Sequence, residues 1–149
     1  FDAATLLAGV LAGATPEQET ALGNYGKYLG TAFQLTDDLL DYTADSDELG
    51  KNIGDDLAEG KPTLPLIYAI AHGTDEEKHL IRQAIEQGDG TQAIDKIVAA
   101  LHHCGALNYT QQKAIEESEK AIEALSILPD SDYKQALVAL AKISVDRNH

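Results

Sequence analysis

Residues Thr15-Pro16-Glu17-Gln18 combine an N-cap threonine, a proline at the first helical position and a glutamine at the capping-box position. No further proline occurs before Pro62. The spacing predicts a helix from there to about Ala44, roughly 29 residues and about 43 Å long. In a chain of 149 residues a rod of that length needs helical partners, and the rest of the sequence supplies them. Phe1 to Ala14 reads as a first helix. Residues 45 to 62 are acidic and contain Gly50, Gly54, Gly60 and Pro62, which predicts a loop with one short turn. Thr63 to Ala71 is an apolar helix with Pro65 in its first turn. Thr74-Asp75-Glu76-Glu77 is a second capping box, opening a helix to Gln87. Thr91 is expected to cap a helix to about His103. Tyr109 to about Leu128 forms the next, and Ser131 caps the last, Asp132 to about Val145. No strand alternation or Asn-Gly hairpin breaks the pattern. The class is all-α, without an internal domain boundary.

Composition narrows the function. Eleven Lys and Arg stand against 25 Asp and Glu, a formal charge of −14. Such a surface repels a phosphodiester backbone, so no nucleic-acid partner is expected. Hydrophobic residues make up 44% of the chain, too many for a disordered acidic tail. With no Trp and two Phe, the core has to be built from Leu, Ile, Val and Ala. The longest apolar stretch, Ala3 to Gly13, is too short for a bilayer, which takes about 20 residues. It also lacks the basic flank of a signal peptide. A single cysteine excludes an internal disulfide and fits a reducing, cytoplasmic compartment. The chain starts at Phe1 and has no methionine. It is therefore expected to be a piece of a longer protein, or a processed chain.

The chemistry gathers between Gln34 and Lys61. Asp37, Asp38, Asp41, Asp45, Asp47, Glu48, Asp55 and Asp56 stand there with Lys51 as the one base among them. At about 100° per residue, with Gln34 at zero, Asp37 falls near −60°, Asp38 near +40°, Asp41 near −20° and Asp45 near +20°. Tyr25, Leu29, Ala32, Thr36, Leu39 and Leu40 occupy the other side and can pack into a core. Like charges one turn apart cost a helix a few tenths of a kcal/mol per pair, roughly, and the negative end of the helix dipole disfavours them further. A bound cation would account for the stripe; so would a solvated acidic face. Carboxylates suit a hard ion such as Mg²⁺, which takes one or two of them with waters and substrate phosphates. The acids do not match the EF-hand pattern. His102 and His103 have no carboxylate partner at ligand spacing, Cys104 sits in no motif, and neither suggests zinc. Gly23, Gly26 and Gly30 lie near −20°, −80° and −40°, beside the acids. They make room either for a neighbouring helix or for a substrate.

Residues 33 to 66, FQLTDDLLDYTADSDELGKNIGDDLAEGKPTLPL, resemble the second aspartate-rich region of the trans-isoprenyl diphosphate synthases. DDLLD at 37 to 41 matches the family's DDxxD, with Phe33-Gln34 before it. Gly50-Lys51, Gly54 and Asp55 match GKxxGxD, and residues 59 to 65 match EGKxTLP of the long-chain members. Phe1-Asp2-Ala3-Ala4 resembles the segment just after the family's Lys-Thr-Ala motif, and the C-terminal Leu-Pro and Tyr133 fit the ends of family chains. The resemblance runs through the whole chain and lies nearest the octaprenyl-like branch that makes quinone side chains.

The resemblance implies an isoprenoid-synthase-type helical bundle, with residues 1–149 as the C-terminal part of one synthase domain. It implies Mg²⁺ held by Asp37, with Asp38 and Asp41 as ligands or holders of metal-bound water. It places Gln34 against an allylic diphosphate and Lys51 on diphosphate oxygens. Lys61 either binds diphosphate or anchors its loop. Asp37, Asp38 and Lys51 would carry the catalytic roles. Isopentenyl diphosphate is the second substrate, a homodimer is the expected assembly, and contact with a membrane surface would be peripheral. The first aspartate-rich motif and the upstream basic residues are not in this sequence. An inactive helical subunit completed by a partner chain is thus the alternative. A terpene cyclase is a third reading, but its Asn/Ser/Glu metal triad is not what stands at 37 to 41.

Overall fold

The computed structural model describes residues 1–43, 54–87 and 93–146. Asp45, Asp47, Glu48, Lys51 and the expected cap Thr91 lie outside the described residues. Among the described residues the regular structure is entirely helical: α1 Asp2–Leu11, α2 Pro16–Thr43, α3 Asp55–Ala58, α4 Leu64–His72, α5 Asp75–Gln87, α6 Ile94–His103, α7 Ala106–Ala124 and α8 Asp132–Ile143, with a 3₁₀ turn at Leu125–Ile127.

Local chemistry sets most of the boundaries. At the start of α2, Thr15 N–H donates to Gln18 Oε1 (3.0 Å) and Gln18 N–H returns to Thr15 Oγ1 (3.3 Å). This reciprocal pair satisfies two of the helix's orphan donors. The same box forms at α5, where Thr74 N–H donates to Glu77 Oε2 (2.7 Å) and Glu77 N–H to Thr74 Oγ1 (3.3 Å). Ser131 Oγ accepts Lys134 N–H at 3.2 Å and caps α8. Helix α1 ends at Leu11 rather than at Ala14, because a Schellman closure intervenes: Gly13 N–H bonds Val10 O and Ala14 N–H bonds Gly9 O. Helix α7 starts three residues before the expected Tyr109. The chain turns at Gly105, and Ala106 and Leu107 go straight into the core; the polar Asn108 hides that start in the sequence. Helix α6 begins at Ile94 behind Ala93, which makes no side-chain cap.

The chain divides into two compact units, Phe1–Thr36 with Gln112–His149, and Asp37–Gln111. The first unit packs Tyr25 and Leu29 of α2 on Ala121, Leu125 and Ala141. Tyr25, fully buried, donates its hydroxyl to Leu137 O at 2.9 Å. The second unit gathers Tyr42, Leu57, Leu66, Ile81, Ile97 and Leu101. Tyr25, Leu29, Ala32 and Thr36 are buried as the helical wheel requires. Leu39 is partly buried against the second core, and Leu40 is partly buried as well.

In the first unit the glycines of α2 answer the choice left open by the sequence. A Cβ on Gly26 would lie 2.2 Å from Thr5 Oγ1, 2.8 Å from Phe1 O and 2.9 Å from Asp2 Cα. At Gly30 it would meet the Phe1 side chain at 3.2 Å. The start of α1 crosses Gly26 at backbone distance, so close helix approach accounts for that glycine; Gly30 faces only the Phe1 side chain. Gly26→Ala should therefore destabilise. The substitution gains about 1 kcal/mol of helix propensity, but overpacking against rigid backbone costs about 1–3 kcal/mol. The expected net result is a lower midpoint in thermal or urea unfolding of the full-length protein. An unchanged or raised midpoint would show that α1 yields freely.

Candidate functional site

The described aspartates of the candidate site, with Lys61, lie in the second unit, where the last two turns of α2 meet α3. Asp37 is exposed and Asp41 is half-buried. Asp38 is only 7% exposed. The stripe is thus not uniformly solvated: Asp38 sits at its core-facing edge, one turn before Tyr42, which is itself in the core. Burial pushes the Asp41 carboxyl up to about 6. The Asp56 N–H pulls it back, and the charges of Asp56 and Asp55 push it further up.

Asp41 binds the chain that returns beneath it. Its carbonyl accepts Gly54 N–H at 2.9 Å, and its Oδ2 accepts Asp56 N–H at 3.2 Å. Asp55 and Asp56 stand in the first turn of α3, but neither caps it: the N-cap is Gly54, and no local side chain serves it. Gly54 suits this place for two reasons. Its φ is +84°, and a Cβ there would lie 2.5 Å from Ile94 Cδ1. Lys61 pairs with Asp56 Oδ1 at 3.2 Å and with Glu59; these carboxylates, Glu59 first, hold its ammonium above the usual lysine range. The lysine anchors its own turn, while its side chain stays 56% exposed.

Gln34 lies in the first unit. It is exposed and lines an open groove of about 350 Å³ with Phe1, Asp2, Gly26, Gly30 and Leu35. Helix α2 runs unbroken from this residue to Asp37, Asp38 and Asp41. Lys51 lies outside the described residues.

The donor set fits a hard cation, since Asp37, Asp38 and Asp41 offer oxygen only. Among the described residues no three His, Cys, Asp or Glu side chains close into a cage. Mg²⁺ does not need one, because it takes one or two carboxylates and fills its shell with water and phosphate.

Two features escaped sequence reasoning. Tyr42 and Thr63 bury hydroxyls that have no hydrogen-bond partner among the described residues. Burial drives the Tyr42 phenol far above its ordinary range, reinforced by the charges of Asp41, Asp56 and Asp38. Thr63 stands in the EGKxTLP match, but nothing local marks the burial of either hydroxyl. The second lies across the fold: His103 Nδ1 lies 2.9 Å from Glu77 Oε1. The two are 26 positions apart, beyond any ligand-spacing rule. The pair ties the α5 capping box to α6, and among the described residues it belongs to no cluster of three such side chains.

Residues 1–102 match the model of the family described as Polyprenyl synthetase. The chain is 56% identical over 148 residues to an octaprenyl diphosphate synthase of Escherichia coli (strain K12), covering 99% of this chain and 46% of the relative. The chain belongs to the polyprenyl synthetase family. Solved members superpose closely. A decaprenyl diphosphate synthase from Rhodobacter capsulatus matches all of this chain and 46% of its own, at 41% identity and a TM-score of 0.90. A polyprenyl synthase from Caulobacter crescentus CB15, complexed with calcium and isoprenyl diphosphate, matches the same shares at 40% identity and a TM-score of 0.89. The isoprenoid-synthase-type all-α fold expected from the sequence is therefore the fold of this family member. The chain spans about half the length of the curated relatives it matches. Among the described residues no helix is long and apolar enough to cross a membrane.

Proposed function

We propose that the full-length protein bearing this chain condenses isopentenyl diphosphate with an allylic diphosphate. The product is a long-chain, octaprenyl-like polyprenyl diphosphate for quinone side chains. The observation that carries this reading is the Asp37-Asp38-x-x-Asp41 motif, folded on one helix with Asp37 open to solvent, in a chain of this family. Residues 1–149 are then the C-terminal part of one synthase domain, and the working assembly is a homodimer in the cytoplasm.

Asp37 would hold Mg²⁺ directly, with Asp38 as a further ligand or a holder of metal-bound water. Bound there, Mg²⁺ supplies charge neutralisation for a departing diphosphate. In the reaction the allylic C–O bond breaks and the electron pair leaves with diphosphate. The isopentenyl double bond then attacks the allylic carbon, and a proton is lost. Lys51 meets the diphosphate oxygens as a point charge. Gln34, one turn before Asp38, lies against the allylic substrate. Lys61, engaged by Asp56 and Glu59, anchors the turn after α3. Asp41 completes the motif, but it already gives an oxygen to α3.

The test is incubation of the full-length protein with labelled isopentenyl diphosphate, an allylic diphosphate and Mg²⁺. Metal-dependent long-chain product is expected, and failure to elongate any allylic primer would overturn the reading. The half-length match favours one alternative, a chain active only when a partner supplies the other aspartate-rich motif. Mixing the two chains in the same assay would reveal it.

A further inference from the structure

We propose that the outward face of α8 is an interaction surface, and that its occupant is an apolar-faced helix from the part of the synthase domain beyond these 149 residues. The inference rests on the reading of residues 1–149 as one portion of a single domain.

Helix α8 is apolar on two sides. Its inner side turns Leu137, Val138 and Ala141 onto Tyr25 and Leu29 of α2. Its outer side carries Tyr133, Ala136, Leu140 and Ile143, spaced three, four and three positions apart. That is the spacing of a seam along which one helix packs on another, here about 15 Å long. Tyr133 is 85% exposed, Ile143 64% and Leu140 49%, and Ala136 is exposed with them. A surface helix carries one apolar stripe, and a second stripe belongs to a helix with partners on both sides. The helix does not roll to bury it, because two bonds pin the inner side. Tyr25 Oη donates to Leu137 O at 2.9 Å, and Ser118 Oγ donates to Ala141 O at 2.7 Å.

Charge and chain length select the occupant. Asp132 flanks the start of the stripe and Asp146 follows its end, both exposed. Of the basic residues of α8, Lys134 is drawn to Leu128 O at 2.8 Å, and Lys142 stands about 140° round the helix from the stripe. A two-fold pairing of the stripe with itself sets Tyr133 of one copy against Ile143 of the other. It brings the acidic start of each copy onto the acidic end of the other, and like charges there oppose it. The same acids are repelled by an anionic lipid surface. A helix with an apolar face and a basic edge meets both requirements. The curated relatives are about twice as long as this chain, so they have the residues to supply it within one molecule.

The experiment places single cysteines in the full-length protein: Ala136→Cys and Ile143→Cys on the stripe, and Gln135→Cys on the exposed flank as the reference. Alkylation by a maleimide is followed by peptide mass mapping. In lipid-free buffer the two stripe variants should react about 100-fold more slowly than Gln135→Cys, because reaction there awaits local opening. Leu140→Glu should lower the midpoint of thermal unfolding by about 5 °C or more with subunit number unchanged in sedimentation, and Gln135→Glu should leave the midpoint in place. If Leu140→Glu does not fold, the labelling still decides. The proposal is overturned if the stripe variants react as fast as Gln135→Cys, or if they are protected only when anionic vesicles are added. It is also overturned if a folded Leu140→Glu loses a subunit, which would make the occupant a second copy. No readout here uses catalysis, so a protein that elongates nothing overturns the functional reading alone.

Discussion

Replacing Asp37 by alanine lowers the turnover of the full-length protein by about 10²- to 10³-fold, the usual loss on removing a group that stabilises developing charge. The fold should not suffer. Asp37 is exposed on α2, and alanine is the better helix former by roughly half a kcal/mol. The substitution also removes a like-charge neighbour one turn from Asp41, worth a few tenths of a kcal/mol, roughly. Stability should therefore hold or rise slightly while catalysis collapses. That opposition marks a residue kept for chemistry rather than for folding. Steady-state kinetics at saturating Mg²⁺, with thermal unfolding alongside, checks both halves. A variant within a few-fold of the parent would reduce Asp37 to a surface acid.

What the sequence made legible was local. The capping boxes at Thr15 and Thr74 act over three positions, so they can be read directly, and both form. Helical period alone placed Tyr25, Leu29, Ala32 and Thr36 in the core and Asp37 outside. What stayed hidden joins distant residues. The Asp41–Asp56, Glu77–His103 and Tyr25–Leu137 contacts span 15, 26 and 112 positions, and no spacing rule reaches across them. The burial of Asp38 is hidden for a related reason. A helical wheel gives an angle, but the neighbour that covers that angle is set by tertiary packing. The glycines of α2 show the same limit. Their cost was visible in the sequence; the helix that approaches them became visible only with α1 in place.

The 149-residue chain purified alone should make no polyprenyl diphosphate, because it matches about half the length of its relatives. On the proposed reading, one aspartate-rich motif gives one side of the metal site. The expected loss is complete rather than graded, since condensation needs both diphosphates held at once. Packing points the same way. On α1, Leu7 is 59% exposed, Val10 50% and Leu11 88%. A row of apolar side chains this open usually marks a contact surface, so the isolated chain should self-associate in sedimentation experiments. Incubation with labelled isopentenyl diphosphate and farnesyl diphosphate checks activity. Co-expression with a segment that carries a first DDxxD motif should restore product and reduce self-association together. Clear long-chain product from the 149 residues alone would mean that both diphosphates bind within this chain. The division of labour between Asp37 and a second motif would then be wrong.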